Sequence, residues 1–218
     1  MPTPSHRDDL TPLERAFFAR PPQRVARALL GKVLVRQDKN EFLTGRIVET
    51  EAYLGKDDPA SHSAAGNTAR TAVLFGPPGH AYVYFIYGNY YCLNVSCERD
   101  GKAGGVLFRA LEPLFGSEQM AQKRKVALAT TRDLLKLTSG PGRLAQAFGI
   151  TRARDNGCDL TSDTSGLWIA RDNFRAGKVG ISARIGITKA VDDPLRFFLS
   201  GNPFVSGPKN QPARPKTR

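Results

Sequence analysis

Glu49 and Glu51 stand two residues apart in Ile47-Val-Glu49-Thr-Glu51-Ala-Tyr53-Leu-Gly55, so a strand here projects both carboxylates from one face, with a tyrosine alongside. A second reactive group is Arg109, set in the apolar run Val106-Leu-Phe-Arg109-Ala-Leu111. An unpaired guanidinium in such a run would be costly, so a carboxylate partner is expected, with Glu51 and Glu112 both candidates. The third component is aromatic: all six tyrosines fall between Tyr53 and Tyr91, five of them in Tyr82-Val-Tyr84-Phe-Ile-Tyr87-Gly-Asn-Tyr90-Tyr91. A carboxylate, an arginine and flat rings together could orient a water against a sugar carbon while gripping a planar base. A buried ion pair that only fixes two strands is the favoured account of Glu51 and Arg109 at this point, with the catalytic reading beside it.

These groups need elements to hold them. Thr11-Pro12-Leu13-Glu14 reads as a capping box with proline at the first helical position, predicting a helix over residues 16–20. A second helix should run from Pro21-Pro22 to Gly31. Residues 32–36 and 42–53 read as β-branched strands separated by the turn sequence Asp38-Lys-Asn40. The tyrosine run predicts a β-hairpin turning at Gly88-Asn89, residues that tolerate positive φ. Alternation then puts Tyr82, Tyr84 and Ile86 on one face and Val83, Phe85 and Tyr87 on the other. Tyr87 abuts the turn, where it would either pack on a neighbouring loop or enter a duplex as a wedge.

Residues 105–114 read as a further strand, and Ser139-Gly-Pro141 opens a helix stopping at Gly149. Later strands are expected at 167–171, 179–187 and 195–199. The fold class is mixed α/β (α+β): a single domain with a mainly antiparallel curved sheet, flanked by helices and carrying a protruding aromatic hairpin. That domain is expected over residues 11–206, between a tail at 1–10 and a basic tail at 207–218.

Charge suggests the partner. Thirty-two Lys and Arg oppose twenty Asp and Glu, a formal net charge of +12, which suits a polyanion. With no apolar stretch of membrane-spanning length and no signal-peptide core at Met1-Pro-Thr-Pro-Ser, nucleic acid is favoured over a membrane, in a protein that is not secreted. The bases are concentrated between Lys123 and Arg154, where Asp133 alone opposes eight of them. Lys123, Arg124, Lys125 and Arg143 are the candidate contacts to a phosphate backbone. The odd count of three cysteines, with Cys92 and Cys97 on opposite faces of a strand, fits a reducing compartment and no zinc site. No metal or cofactor is expected.

Four motifs in order carry a resemblance: Val-Glu-Thr-Glu51-Ala-Tyr53-Leu-Gly with Ser61-His62-Ser63; the tyrosine run through Leu-Asn94; Leu-Phe-Arg109-Ala-Leu-Glu-Pro113; and Leu137-Thr-Ser-Gly-Pro141 with Asp193-Pro-Leu-Arg196-Phe-Phe. Over about residues 11–206 the chain resembles the alkyladenine (3-methyladenine) DNA glycosylase family. The resemblance implies a monofunctional enzyme that flips alkylated or deaminated purines from duplex DNA, approached through the minor groove, and hydrolyses the N-glycosidic bond. It implies Glu51 as general base and Arg109 as a holder of the attacking water. Tyr53, His62 and Tyr84 would form the base pocket, Asn94 would oppose the exocyclic amino group of guanine, and Tyr87 would insert into the duplex. A backbone carbonyl from Ser182-Ala-Arg-Ile185-Gly-Ile would also hold the water. Asn89 departs from the family pattern, standing where a bulkier residue is expected beside the wedge. Tyr82, Tyr90 and Tyr91 are assigned to packing. A monomer is expected, cytoplasmic and nucleoid-associated in a bacterium or nuclear in a eukaryote. The competing reading is a non-catalytic basic module that only stacks on bases.

Overall fold

The computed structural model describes residues 10–38, 41–86, 88 and 90–207. It opens with β1 (Thr11–Pro12), α1 (Arg15–Phe18), α2 (Pro22–Leu29), β2 (Val33–Asp38) and β3 (Glu41–Tyr53). Next come a 3-10 turn at His62–Ala65, α3 (Ala72–Phe75), β4 (Ala81–Ile86), β5 (Tyr90–Ser96) and β6 (Gly105–Phe115). Four helices follow, α4 (Ser117–Arg124), α5 (Thr131–Leu137), α6 (Pro141–Ala147) and α7 (Arg152–Asp155), and then β7 (Leu167–Arg171), β8 (Val179–Ser182) and β9 (Arg196–Leu199).

The nine strands of the described residues join one sheet with antiparallel pairings, in the order β1-β7-β2-β3-β6-β5-β4, while β9 pairs β3 and β8 pairs β9. This is the single-domain mixed α/β architecture expected. β3 is its spine, bonding β2 through its first half, β9 through its second and β6 through most of its length. A strand so placed is covered on both faces, and ten consecutive residues of β3, Leu43 to Ala52, are buried. The main core packs Phe18, Val25 and Leu29 against Ile47, Phe108, Leu111 and Phe148. Val25, Ala26 and Leu29 recur at helical spacing along α2, and burying a side chain such as Leu29 contributes about 1.5–3 kcal/mol. Parity in β2 sends Leu34 into that core, while Val33 and Val35 join Trp168, Ala170 and Leu10 in a second cluster.

The ladder between β3 and β6 is irregular where it matters. Ile47 faces Leu111, Glu49 faces Ala110 and Thr50 faces Phe108, so the register skips Val48 on one strand and Arg109 on the other. Such bulges re-aim side chains.

The expected first helix is corrected. Thr11 and Pro12 pair with Arg171 and Ala170, which holds Thr11 in extended conformation. Helix α1 runs over Arg15–Phe18, close to the expected 16–20, but its N-cap is Glu14, which makes no side-chain bond, rather than Thr11. Among the described residues a capping box forms instead at Thr130 and Asp133, at the start of α5. Strand β8 ends at Ser182 rather than 187, because the following residues leave the sheet. β4 and β5 pair from Ala81↔Val95 to Ile86↔Tyr90, as the tyrosine run predicted. Tyr87, Asn89, Lys39 and Asn40, which the sequence places in turns, and residues 1–9 and 208–218, expected as tails, lie outside the described residues. No helix among the described residues is long and apolar enough to cross a membrane.

Candidate active site

Glu49 and Glu51 project from the middle of β3, both fully buried. The bulge aims Arg109 between them: its Nε donates to Glu49 Oε1 at 2.9 Å, and its NH1 lies 3.1 Å from Glu51 Oε1. Glu51 Oε1 also accepts from the Ile185 amide at 2.7 Å, and Oε2 accepts from the Tyr53 hydroxyl at 3.0 Å. The Ile185 carbonyl in turn accepts from Arg109 NH1 at 3.4 Å. Of the two expected partners for Arg109, the structure selects Glu51 and adds Glu49. Glu112 instead accepts from Asn202 Nδ2 at 2.9 Å.

Burial pushes the Glu51 carboxyl above the usual carboxylate range; Arg109, the Ile185 amide and the Tyr53 hydroxyl oppose the rise, and Glu49 adds to it. Burial and the charge of Glu51 push the Tyr53 hydroxyl up, keeping it a donor.

Three of these groups, Tyr53, Arg109 and Ile185, line a cavity of about 370 Å³, within the size range of small-molecule sites. Glu51 lies one layer behind them. The opposite wall is aromatic. Tyr82, Tyr84 and Ile86 all line the cavity, as their shared parity predicted. His62 enters from the 3-10 turn, its Nδ1 3.0 Å from the Tyr82 hydroxyl and its ring edge-on to Tyr84 with centroids 4.5 Å apart. Burial first, and then Arg70, lowers His62, which favours neutral imidazole. Tyr82 was assigned to packing; its ring is buried as expected, but its hydroxyl fixes His62. Asn94 also lines the cavity, donating to the Tyr82 carbonyl at 3.3 Å, beside Cys92, whose thiol burial pushes up to about 11.

A second ionic contact braces these walls. Arg184 donates to both carboxylate oxygens of Asp58, at 2.5 and 3.0 Å, and to the Ala52 carbonyl at 3.1 Å. Its guanidinium carbon sits 4.8 Å from the centre of the Tyr53 ring. Asp58 also accepts from the Leu54 and Ala60 amides, shaping the loop that delivers His62. Gly55, at φ 92°, lets this loop pass the Ala103 carbonyl, which any Cβ there would strike. Neither Asp58 nor Arg184 was singled out from sequence, although Arg184 lies in the segment expected to supply a carbonyl.

The cationic candidates are dispersed in role. Lys125 ends α4 in left-handed conformation, exposed, and Arg143 is exposed on α6, whose first residue, Pro141, lines the cavity. Lys123 pairs with Glu41 at 2.9 Å, and Arg124 NH1 donates to the Lys136 and Leu137 carbonyls. Tyr87 lies outside the described residues; its neighbour Gly88 has φ 70°. Among the described residues no group of three His, Cys, Asp or Glu side chains is placed to hold a metal.

A family model described as Methylpurine-DNA glycosylase matches residues 16–203. A protein of Koribacter versatilis named "Putative 3-methyladenine DNA glycosylase" is 61% identical over 198 residues, covering 91% of this chain and 94% of the relative. Relatives of the same name from Alkaliphilus oremlandii and Methanocella arvoryzae are 45% and 47% identical, covering 89% of this chain and 98% and 95% of theirs. With ordered motifs, fold and sequence in agreement, this chain belongs to the methylpurine-DNA glycosylase family and is a DNA glycosylase.

Proposed function

We propose that the enzyme draws an alkylated or deaminated purine out of duplex DNA into the cavity and hydrolyses its N-glycosidic bond with a water activated by Glu51. One observation carries this reading: the groups that bind the Glu51 carboxylate, Tyr53, Arg109 and Ile185, also line the cavity that His62 and Tyr84 wall with rings. A carboxylate has about four acceptor positions. Oε1 takes the Ile185 amide bond and the Arg109 ion-pair contact, and Oε2 takes one bond, so Oε2 keeps a position for a water.

In the reaction the sugar carbon gains cationic character as its bond to the base lengthens. Glu51 stabilises that charge and takes the water proton while the oxygen bonds to carbon, and the bonding pair leaves with the base. A cationic purine such as 3-methyladenine, the base in the relatives' names, is already a good leaving group. 7-Methylguanine, hypoxanthine and ethenoadenine complete the proposed substrate class, with Asn94 facing a purine amino group and Tyr53 and Tyr84 stacking on the ring. No lysine is among the cavity-lining residues, which favours hydrolysis over a covalent route that cuts the strand.

The monomer would approach through the minor groove, with Tyr87 as wedge and Lys125 and Arg143 on phosphates. Lys123 and Arg124 would join them by sharing their present partners.

The test is Glu51→Gln on a duplex containing hypoxanthine. Single-turnover base release should fall about 10²- to 10⁴-fold, while affinity for a duplex holding an abasic-site analogue is kept. Unchanged release would overturn the mechanism.

A further inference from the structure

Behind Arg109 lies a part of the ionic network that the proposed reaction does not use. Arg196 pairs with Glu51 in the β3–β9 ladder, yet its side chain turns to Glu49, donating from Nε to Oε1 at 2.7 Å. Its NH1 and NH2 reach Ser182 Oγ at 2.9 Å and the Ser206 carbonyl at 2.7 Å. Glu49 therefore accepts on one oxygen from both Arg109 and Arg196, and on the other from the Ser206 amide at 2.6 Å. Neither Glu49 nor Arg196 lines the cavity.

Counting charge shows what this arrangement does. Glu49 and Glu51 are balanced by Arg109 and Arg196. Were Arg196 absent, Arg109 alone would answer two buried carboxylates, and the uncompensated negative charge would oppose ionisation of Glu51. Were Glu49 absent, the excess would be positive and the effect reversed. The other ionisable groups facing Glu51 are Tyr53 on its own strand, Cys92 on β5 and Arg184 beside Ile185. Arg184 is already matched by Asp58.

We infer that Glu49 and Arg196 are positioning residues for the glycosylase reaction: Arg196 neutralises Glu49, which orients Arg109 while leaving its charge available to Glu51. This inference rests on Glu51 being the general base.

The experiment is the pH profile of single-turnover hypoxanthine release from one duplex by the parent, Arg196→Met, Glu49→Gln and the double variant. Any titration of the leaving base is common to all four. A base must be ionised to act, so activity falls as pH drops through the Glu51 titration. Arg196→Met should move that acid limb to higher pH by about one unit, and Glu49→Gln should move it lower by a similar amount. The double variant, neutral again, should return to the parental limb. A purely structural role lowers the rate equally at every pH and leaves the limb in place. Should Arg196→Met fail to fold, the downward shift in Glu49→Gln decides alone, and its absence overturns the inference. An active Glu51→Gln control would sink the general-base reading and this inference with it. An inactive control with one limb common to all four proteins would sink the positioning role only.

Discussion

The ionic floor and the aromatic wall of the cavity are built on opposite plans. Glu49, Glu51, Arg109 and Arg196 come from three neighbouring strands, with their charges matched inside the core. His62, Tyr82, Tyr84 and Ile187 come from a 3-10 turn, an edge hairpin and a segment that has left the sheet. The floor takes its geometry from backbone ladders that cannot shift without breaking many hydrogen bonds. The wall rests on one ladder at the sheet edge, β4 with β5, and its His62 is placed by side-chain contacts such as the 3.0 Å bond to Tyr82. Bond cleavage needs reacting groups held within fractions of an ångström. Under the proposed function, recognition of several related purines needs surfaces that can adjust.

The contrast is open to attack first at Arg109. Arg109→Met leaves two buried carboxylates short of a partner, and a floor that is one unit should lose about 3–5 kcal/mol of stability in urea melts, along with base release. A loss of activity with stability intact would mean that the floor is not the structural hub described.

Tyr84→Ala should leave the fold nearly unchanged while weakening affinity for a lesion-containing duplex by about 1–3 kcal/mol, the worth of one stacked base. A collapse of the melting temperature in Tyr84→Ala would place the wall in the core and erase the distinction.

A smaller effect concerns Glu51 itself. Because burial raises its pKa, the folded state binds more protons than the unfolded one, and stability falls as pH rises from the ordinary carboxylate range through the raised value. At neutral pH the Glu51→Gln protein should therefore melt no lower than the parent, with the difference shrinking at acid pH. A lower melting point at neutral pH would contradict that sign.

The smallest change is expected at the periphery. Lys125→Ala should reduce the salt dependence of DNA binding by about one counterion and weaken undamaged and damaged duplexes alike.

Much of this division was readable in the sequence, and its gaps follow from distance along the chain. β-Branched runs located the strands, with β7 at the expected bounds, because those signals are local. Parity put Tyr82, Tyr84 and Ile86 on one face, and all three line the cavity. The misread capping box at Thr11 shows the limit of a local signal, since pairing with Arg171 overrode it. Likewise Glu49, Asp58, Arg184 and Arg196 acquire meaning only when β3, β6, β9 and the 183–187 segment meet. Between Glu49 and Arg196 the contact spans 147 positions, and no spacing rule reaches that far.

The skipped residues Val48 and Arg109 also make the enzyme sensitive to chain length in a way that substitution scanning would not reveal. One residue is skipped on each strand, so the pairing resumes in its original register; deleting Val48 would leave the skip at Arg109 unmatched, and one half of β3 would then present the opposite side. Either the carboxylates would turn away from Arg109 or Gly45 and Ile47 would leave their core contacts. Among single-codon deletions along β3, those beside Val48 should abolish function even where replacement of the same side chain is tolerated. The geometry of the ionic floor is thus encoded partly as a residue count.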